Sequence, residues 1–439
     1  METFLIKALQ LVLALSLLVI IHELGHFLWA RLFKIRVEKF YIFFNPWFSL
    51  AKWKPKNSET TYGIGWLPLG GYVKIAGMID ESMDKEQMKQ EPQPWEFRSK
   101  PAWQRLLVMT GGVINNFILA IIIYAGIAWY WGEKTIPFRN AYEGMDFTPA
   151  AQALGFRNGD ILLEADGELL DSRQRDVIYR MLDSKVVTVL RQGDTVSIAL
   201  PDNALLTLPQ DDPIMAIRVP VFVKQVLPGE PAAKAGLKEG DRIIAVGGST
   251  TRAYSELVPA LQAYAGKEVP VEVIRDGKSL TLKAVPTAEG KLGFGLRMPQ
   301  EVFECDITRY NLLEAIPVGI HDGTSQLTTY VSSLKYLFTK SGAESIGGFG
   351  AIGNLFPSAW NWRTFWEMTA FLSIILAFMN IIPIPALDGG HVVFLLWEVV
   401  TRRKPSEKVL EYSQIAGMCF LVALLLYANF NDLYRFVIK

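Results

Sequence analysis

The chain is 439 residues long, half of them hydrophobic, with a mean hydropathy of +0.21, which points to a membrane protein with soluble parts and room for two or more domains. Lysine plus arginine balances aspartate plus glutamate at 44 each, so global charge directs it to neither nucleic acid nor acidic substrates. Cys305 and Cys419 lie far apart and support neither a disulfide framework nor a cysteine metal site.

In chain order, the first predicted element is an apolar helix over about Leu5 to Phe33, the core of a segment 1–33. Its apolar run exceeds the ~15 residues of a signal-peptide core and no small-residue cleavage site follows, so it is read as a retained membrane span. Within it stands "HELGH", His22 to His26. One helical turn separates the two histidines, so their imidazoles point the same way and can share a zinc ion, with Glu23 beside the water on that ion. A polar packing patch is the bland alternative. Three ionisable groups in lipid need a partner able to stabilise them, and a metal supplies one.

Region 34–101 contains "VEKFYIFFNPWFSLAKWK" and "TYGIGWLPLGGYVKIAGM", rich in aromatic and β-branched residues with glycine and proline breaks. It reads as strands paired in hairpins. Such backbone enters membrane depth only when buried in protein or lining a wet cavity. A second span follows at 102–131, apolar from Ala102 to Tyr130, with Asn115 and Asn116 in "TGGVINNFILA". Asparagine there is either glue between helices, the reading favoured for Asn115, or an amide that fastens an opened substrate backbone.

The long segment after span two carries an internal repeat. "PAAQALGFRNGDILLEADGELL" (Pro149 to Leu170) realigns with "PAAKAGLKEGDRIIAVGGST" (Pro231 to Thr250) after one single-residue gap. Each reads as a short helix, a Gly-Asp turn and a strand. Both resemble the helix, turn and strand unit of bacterial PDZ domains, which implies two PDZ-like modules at 132–215 and 216–300. A helical connector at 301–362, ending in "SIGGFGAIGNLFP", completes the segment; His321 within it reads as an ordinary histidine.

Span three, 363–400, is apolar from Phe365 to Val400 but interrupted at "FMNIIPIPALDGGHVVF". Pro383 and Pro385 break the helix, Gly389 and Gly390 loosen it, and Asp388 sits in the break, where membrane proteins build ion and substrate sites. Asp388 is the best third ligand, completing a two-histidine, one-carboxylate set with a position left for water; the alternative is a solvated aspartate on a kinked helix. His391 could ligate instead or orient its neighbour. Asn380, just before the break, reads as a group that holds substrate backbone or stabilises an oxyanion. A loop at 401–408 leads to span four, Val409 to Tyr427 within 409–439. Basic clusters at Arg31, Lys34, Arg36 and Lys39, at Arg98, Lys100 and Arg105, and at Arg402, Arg403, Lys404 and Lys408 put those loops in the cytoplasm. Both termini and the long repeat segment then lie outside, in the periplasm of a Gram-negative cell.

Together, HELGH in span one, the glycine-led Asn116 motif of span two, the two outer repeats and the N-x-x-P-x-P-x-x-D-G pattern from Asn380 to Gly389 resemble the site-2 protease family of intramembrane zinc metalloproteases. The closest type is the regulator-of-sigma-E protease with tandem PDZ domains. "FRSKPAWQRL" also looks familial, while Val113 stands where the span-two motif often has proline. The resemblance implies a polytopic α-helical membrane protein with four spanning helices, a re-entrant β-hairpin and two periplasmic PDZ-like α/β domains. It implies zinc held by His22, His26 and Asp388, Glu23 as catalytic base, and Asn380, Pro385 and Asn116 in contact with substrate. The expected activity is cleavage within a transmembrane segment of single-pass proteins, such as a pre-trimmed anti-sigma factor or a signal-peptide remnant, in the cell inner membrane with the active site toward the cytoplasm. Membrane lipid and peptide C-termini at the PDZ-like modules are the other expected partners. A PDZ-bearing scaffold or sensor is the main rival. A metal-ion transporter is disfavoured because the spans show no inverted repeat, and neither rival needs a glutamate between the histidines.

Overall fold

The computed structural model describes residues 2–68, 70–78, 91–173, 177–201, 204, 214–334, 347–403 and 405–434. Lys404 and the middle of the expected connector, 335–346, lie outside them. The chain divides into two compact units, Met1–Gly132 with Arg309–Lys439, and Glu133–Thr308.

The first unit is built on helices α1 (Glu2–Leu32), α2 (Ala102–Trp131), α3 (Leu312–Ser333), α4 (Trp362–Ile381), α5 (Asp388–Thr401) and α6 (Glu407–Leu433). Segments of α1, α2, α4 and α6 are long and apolar enough to cross a membrane, close to the four expected spans. Span three is two helices rather than one, because Pro383 and Pro385 cannot continue the α4 ladder. The expected connector contributes α3, which packs on α2 through Gly319 against Ala125. Asn311 caps it: its side chain accepts from the Leu313 and Glu314 amides while Glu314 accepts from the Asn311 amide.

Between α1 and α2 lie β1 (Val37–Ile42), β2 (Ala51–Trp53), β3 (Thr61–Ile64) and β4 (Tyr72–Ile75), in sheet order β2-β3-β1-β4. The expected hairpins are only partly present. β2 and β3 pair antiparallel, but β1 inserts between β3 and β4, parallel to the former and antiparallel to the latter. The stretch from Gly65 to Gly71, with Pro68 inside it, is too long for a tight turn and leaves room for that insertion. Val37, Ile75 and Phe97 bury the sheet against Ala30, Val108 and Met109 of the helices.

In the second unit both repeated stretches form a short helix, a turn and a strand. The first sheet comprises β7 (Ile161–Ala165), β8 (Glu168–Leu169), β9 (Val186–Arg191) and β10 (Asp194–Ala199), in order β10-β9-β7-β8; it follows β5 (Glu133–Thr135) and β6 (Met145–Phe147), and β6 pairs with β11 (Met215–Ile217). The second comprises β12 (Val221–Val226), β13 (Arg242–Val246), β14 (Ser249–Thr250), β15 (Val269–Arg275), β16 (Lys278–Ala284) and β17 (Phe294–Leu296), in order β16-β15-β13-β12-β17 with β14 on β13. Finally β18 (Asp306–Thr308) returns to pair with β5. Each sheet has its own apolar core, around Phe156, Leu162 and Met181 in one and Ile243, Leu257 and Val271 in the other.

The repeat extends to its polar contacts. In the first copy Asp160 accepts two hydrogen bonds from Arg191 and one from the Arg157 amide, and Arg191 also donates to the Gly155 carbonyl. In the second, Asp241, Arg275, Lys238 and Gly236 make the same four bonds. Gly159 and Gly240, at φ 95° and 88°, supply the left-handed turn that delivers each aspartate. Burial alone would raise the Asp241 carboxyl, but Arg275 and the Lys238 amide outweigh it and hold the group below its usual 3.8. The stabilisation is therefore complete above the unfolded-state value of about 4 and is lost as pH falls below it. Arg275→Met leaves a buried, unpaired carboxylate, and we expect about 3 kcal/mol of local destabilisation, read as faster hydrogen exchange in β13 and β15 at pH 7 and a smaller difference from wild type at pH 3.

Candidate active site

Three ligand atoms converge at one point in the first unit. His22 Nε2 lies 3.2 Å from His26 Nε2, and Asp388 Oδ2 lies 3.2 Å and 3.3 Å from them. The histidines come from successive turns of α1, and Asp388 is the first residue of α5. Metal bonds of about 2.0–2.1 Å at tetrahedral angles place ligand atoms roughly 3.3 Å apart, so the triangle has the dimensions of a tetrahedron's face.

Protonation supports the same reading. His26 Nδ1 is 2.8 Å from the Val108 carbonyl, which can only accept; Nδ1 therefore carries the hydrogen and the Nε2 lone pair points inward. Asp388 Oδ2 is buried without a hydrogen-bond donor. Lone pairs facing a carboxylate oxygen in a buried site repel one another unless a cation lies among them. The donor set of two nitrogens and one oxygen fits zinc.

Glycines make this convergence sterically possible. A methyl group at Gly112 on α2 would lie 2.6 Å from both His22 Cε1 and His26 Nε2, and one at Gly25 would collide with the Gly111 carbonyl. Thus "TGG" lets α1 and α2 touch at backbone distance behind the histidines. Gly389 and Gly390 act likewise: side chains there would strike the Ile382 carbonyl and Pro385. They serve close packing of the first turn of α5 against the break, not looseness. Ala386, at φ 81°, is held in a left-handed conformation that strains a non-glycine residue.

A cavity of about 540 Å³ opens on the ligands; His22, Glu23, His26, Asn380, Asp388 and His391 line it together with Gly70 to Val73. Val73 lies on the same wall as Glu23, its backbone close enough to act on the carboxylate. Among the described residues β4 is the terminal strand of its sheet, and its Tyr72, Val73 and Ile75 line the cavity. Asn380 Nδ2 lies 3.5 Å from His22 Nε2.

Two predicted substrate contacts sit elsewhere. Asn116, fully buried, places its amide 3.3 Å from His22 Nδ1, behind the ligand instead of in the cavity. With Nδ1 protonated for ligation through Nε2, the amide oxygen turns to accept that hydrogen. Pro385 turns its carbonyl to Gly417 of α6 and is not among the cavity-lining residues. His321 lies on α3, away from the cavity, beside Ser325. Sequence reasoning missed Gly112 and Gln414; the latter is a largely buried residue on α6 lining the cavity, signalled only as a polar residue in an apolar run.

Residues 10–424 match peptidase family M50. The chain belongs to that family. It is a zinc-dependent intramembrane peptidase of the site-2 protease family, as its motifs lead one to expect. This M50 peptidase is 30% identical over 465 residues to the regulator of sigma-E protease RseP of Salmonella typhimurium, covering 97% of each chain. It is 29% identical over 461 residues to the protease RseP of Yersinia pestis, again covering 97% of each. A Ralstonia nicotianae relative named as a zinc metalloprotease is 28% identical over 98% of both chains.

Proposed function

We propose that this peptidase cuts within the transmembrane segment of single-pass membrane proteins whose outer domains have already been trimmed, as in regulated intramembrane proteolysis or the clearance of signal-peptide remnants. The observation that carries the reading is the ligand triangle beside Glu23, in a cavity walled in part by the terminal strand β4. His22, His26 and Asp388 hold zinc, which when bound supplies Lewis acidity toward the scissile carbonyl and its attacking water.

A helical substrate hides its carbonyls in its own hydrogen bonds, so it must open before it is cut. The opened strand adds alongside β4, the terminal strand on the cavity wall, and finds main-chain partners there. Glu23, beside the ligands on the cavity wall, takes the proton of the attacking water and returns it to the leaving amide nitrogen. Asn380 holds the opened segment near the reacting carbonyl. Asn116 is a positioning residue that fixes the His22 ring. The basic loops support an orientation with this chemistry toward the cytoplasm and the second unit in the periplasm, its two repeats acting as tandem PDZ-like modules that filter substrates by size and receive peptide C-termini.

Reconstitution with epitope-tagged single-span substrates tests the reading. Chelator-stripped protein is expected to lose cleavage by at least about 100-fold and to regain it when zinc is restored. Undiminished cleavage by the stripped protein would overturn the metal assignment, and no cleavage of any substrate by the zinc-loaded protein would favour the scaffold.

A further inference from the structure

A second cavity, about 430 Å³, adjoins the first: Met78, His391 and Gln414 form walls of both. Its remaining lining is largely apolar, including Phe97, Phe394, Leu395 and Leu410, with Arg98, Arg105 and Glu398 on the wall held in ion pairs, Arg105 with Glu398 and Arg98 with Glu96. Gln414 stands where the two meet. It is 6% exposed, and among the described residues its amide has no hydrogen-bond partner. An amide on a cavity wall with its hydrogen-bonding groups uncommitted is free to pair with a main chain that enters.

Its direction is fixed by packing. Gly417 lies three residues on, on the same face of α6, and meets the Pro385 carbonyl so closely that no side chain fits. α6 is therefore seated on the break that leads to Asp388, with Gln414 turned toward the ligands. Leu410, one turn earlier on that face, lines the second cavity.

Building on the peptidase reading, we propose that Gln414 is a substrate-binding residue and that the cavity behind it takes a large apolar side chain of the opened substrate, close to the scissile bond. A glutamine amide offers one acceptor and two donors, which matches a peptide group exposing both its N–H and its C=O. That pairing would hold the main chain at the doorway while the neighbouring side chain fills the apolar chamber. The occupant is thus an extended membrane-protein segment with leucine- or phenylalanine-sized residues within about three positions of the cut, since strand residues advance about 3.3 Å each.

The test uses full-length protein and two single-span substrates that differ only in carrying leucine or alanine at those positions. Gln414→Leu keeps the bulk and removes the pairing; the expected result is an approximately tenfold lower kcat/KM on both substrates, mainly through KM, with zinc content unchanged. Leu410→Trp fills the chamber and is expected to abolish the preference for leucine over alanine while alanine-substrate cleavage persists. Wild-type kcat/KM in Gln414→Leu, or an unchanged leucine-to-alanine ratio in Leu410→Trp, would overturn the proposal. Wild type cleaves the alanine substrate in the same assay, so failure of the subsite is distinguished from failure of the peptidase reading.

Discussion

With Glu23 replaced by glutamine, cleavage of a single-span substrate is expected to fall by about 10²–10⁴-fold while zinc stays bound at the wild-type level. Glutamine keeps the shape of the side chain and its accepting oxygen. What disappears is the ability to take a proton from water. Glu23 is not one of the three converging ligand atoms, so the metal and the fold should survive. Initial rates together with zinc analysis of the same preparation decide the matter. Equal rates would place the base elsewhere, and a loss of zinc would make Glu23 part of the metal's support.

Gly112→Ala is expected to be nearly as damaging, though Gly112 touches no substrate. Its methyl group would lie 2.6 Å from both metal-facing rings, and neither ring can retreat: Val108 holds His26, and Asn116 backs His22. We expect at least about a tenfold to 100-fold loss of zinc affinity, with activity falling in parallel. Gly126→Ala on the same helix is the control, since nothing lies within 4 Å of a methyl group there. Alanine favours a helix by up to about 1 kcal/mol over glycine, so the control should bind zinc normally and melt no lower than wild type. Zinc titration of the two variants side by side separates a steric effect at the site from a general effect on α2.

How much of this could be read in advance depended on whether a feature was local. His22 and His26 share a face because helical periodicity fixes the angle between residues four apart, whatever the rest of the chain does. Asp388 stood out because prolines cannot continue a helix, so the break was visible in the sequence. Between segments far apart, the same kind of reasoning stops. Two adjacent glycines at 111 and 112 announce a close approach without naming what approaches. Strand signals located β1 to β4 approximately, yet no local propensity says that β1 enters between β3 and β4. Asn116 and Pro385 were assigned to substrate from the company they keep in a motif, while the geometry directs one to the back of His22 and the other to α6. Gln414 attracted no notice because its meaning lies in the cavity walls that meet there.

The split origin of the ligands has a mechanical side. Two ride on the rigid first helix and the third opens α5, beyond a break strained at Ala386. An ion shared among them is a cross-link between the start of the chain and its last third, and its binding energy becomes part of what holds α5 in place. Losing it would remove that cross-link as well as the reagent, so metal loss is expected to weaken the seating of α5 and not the chemistry alone.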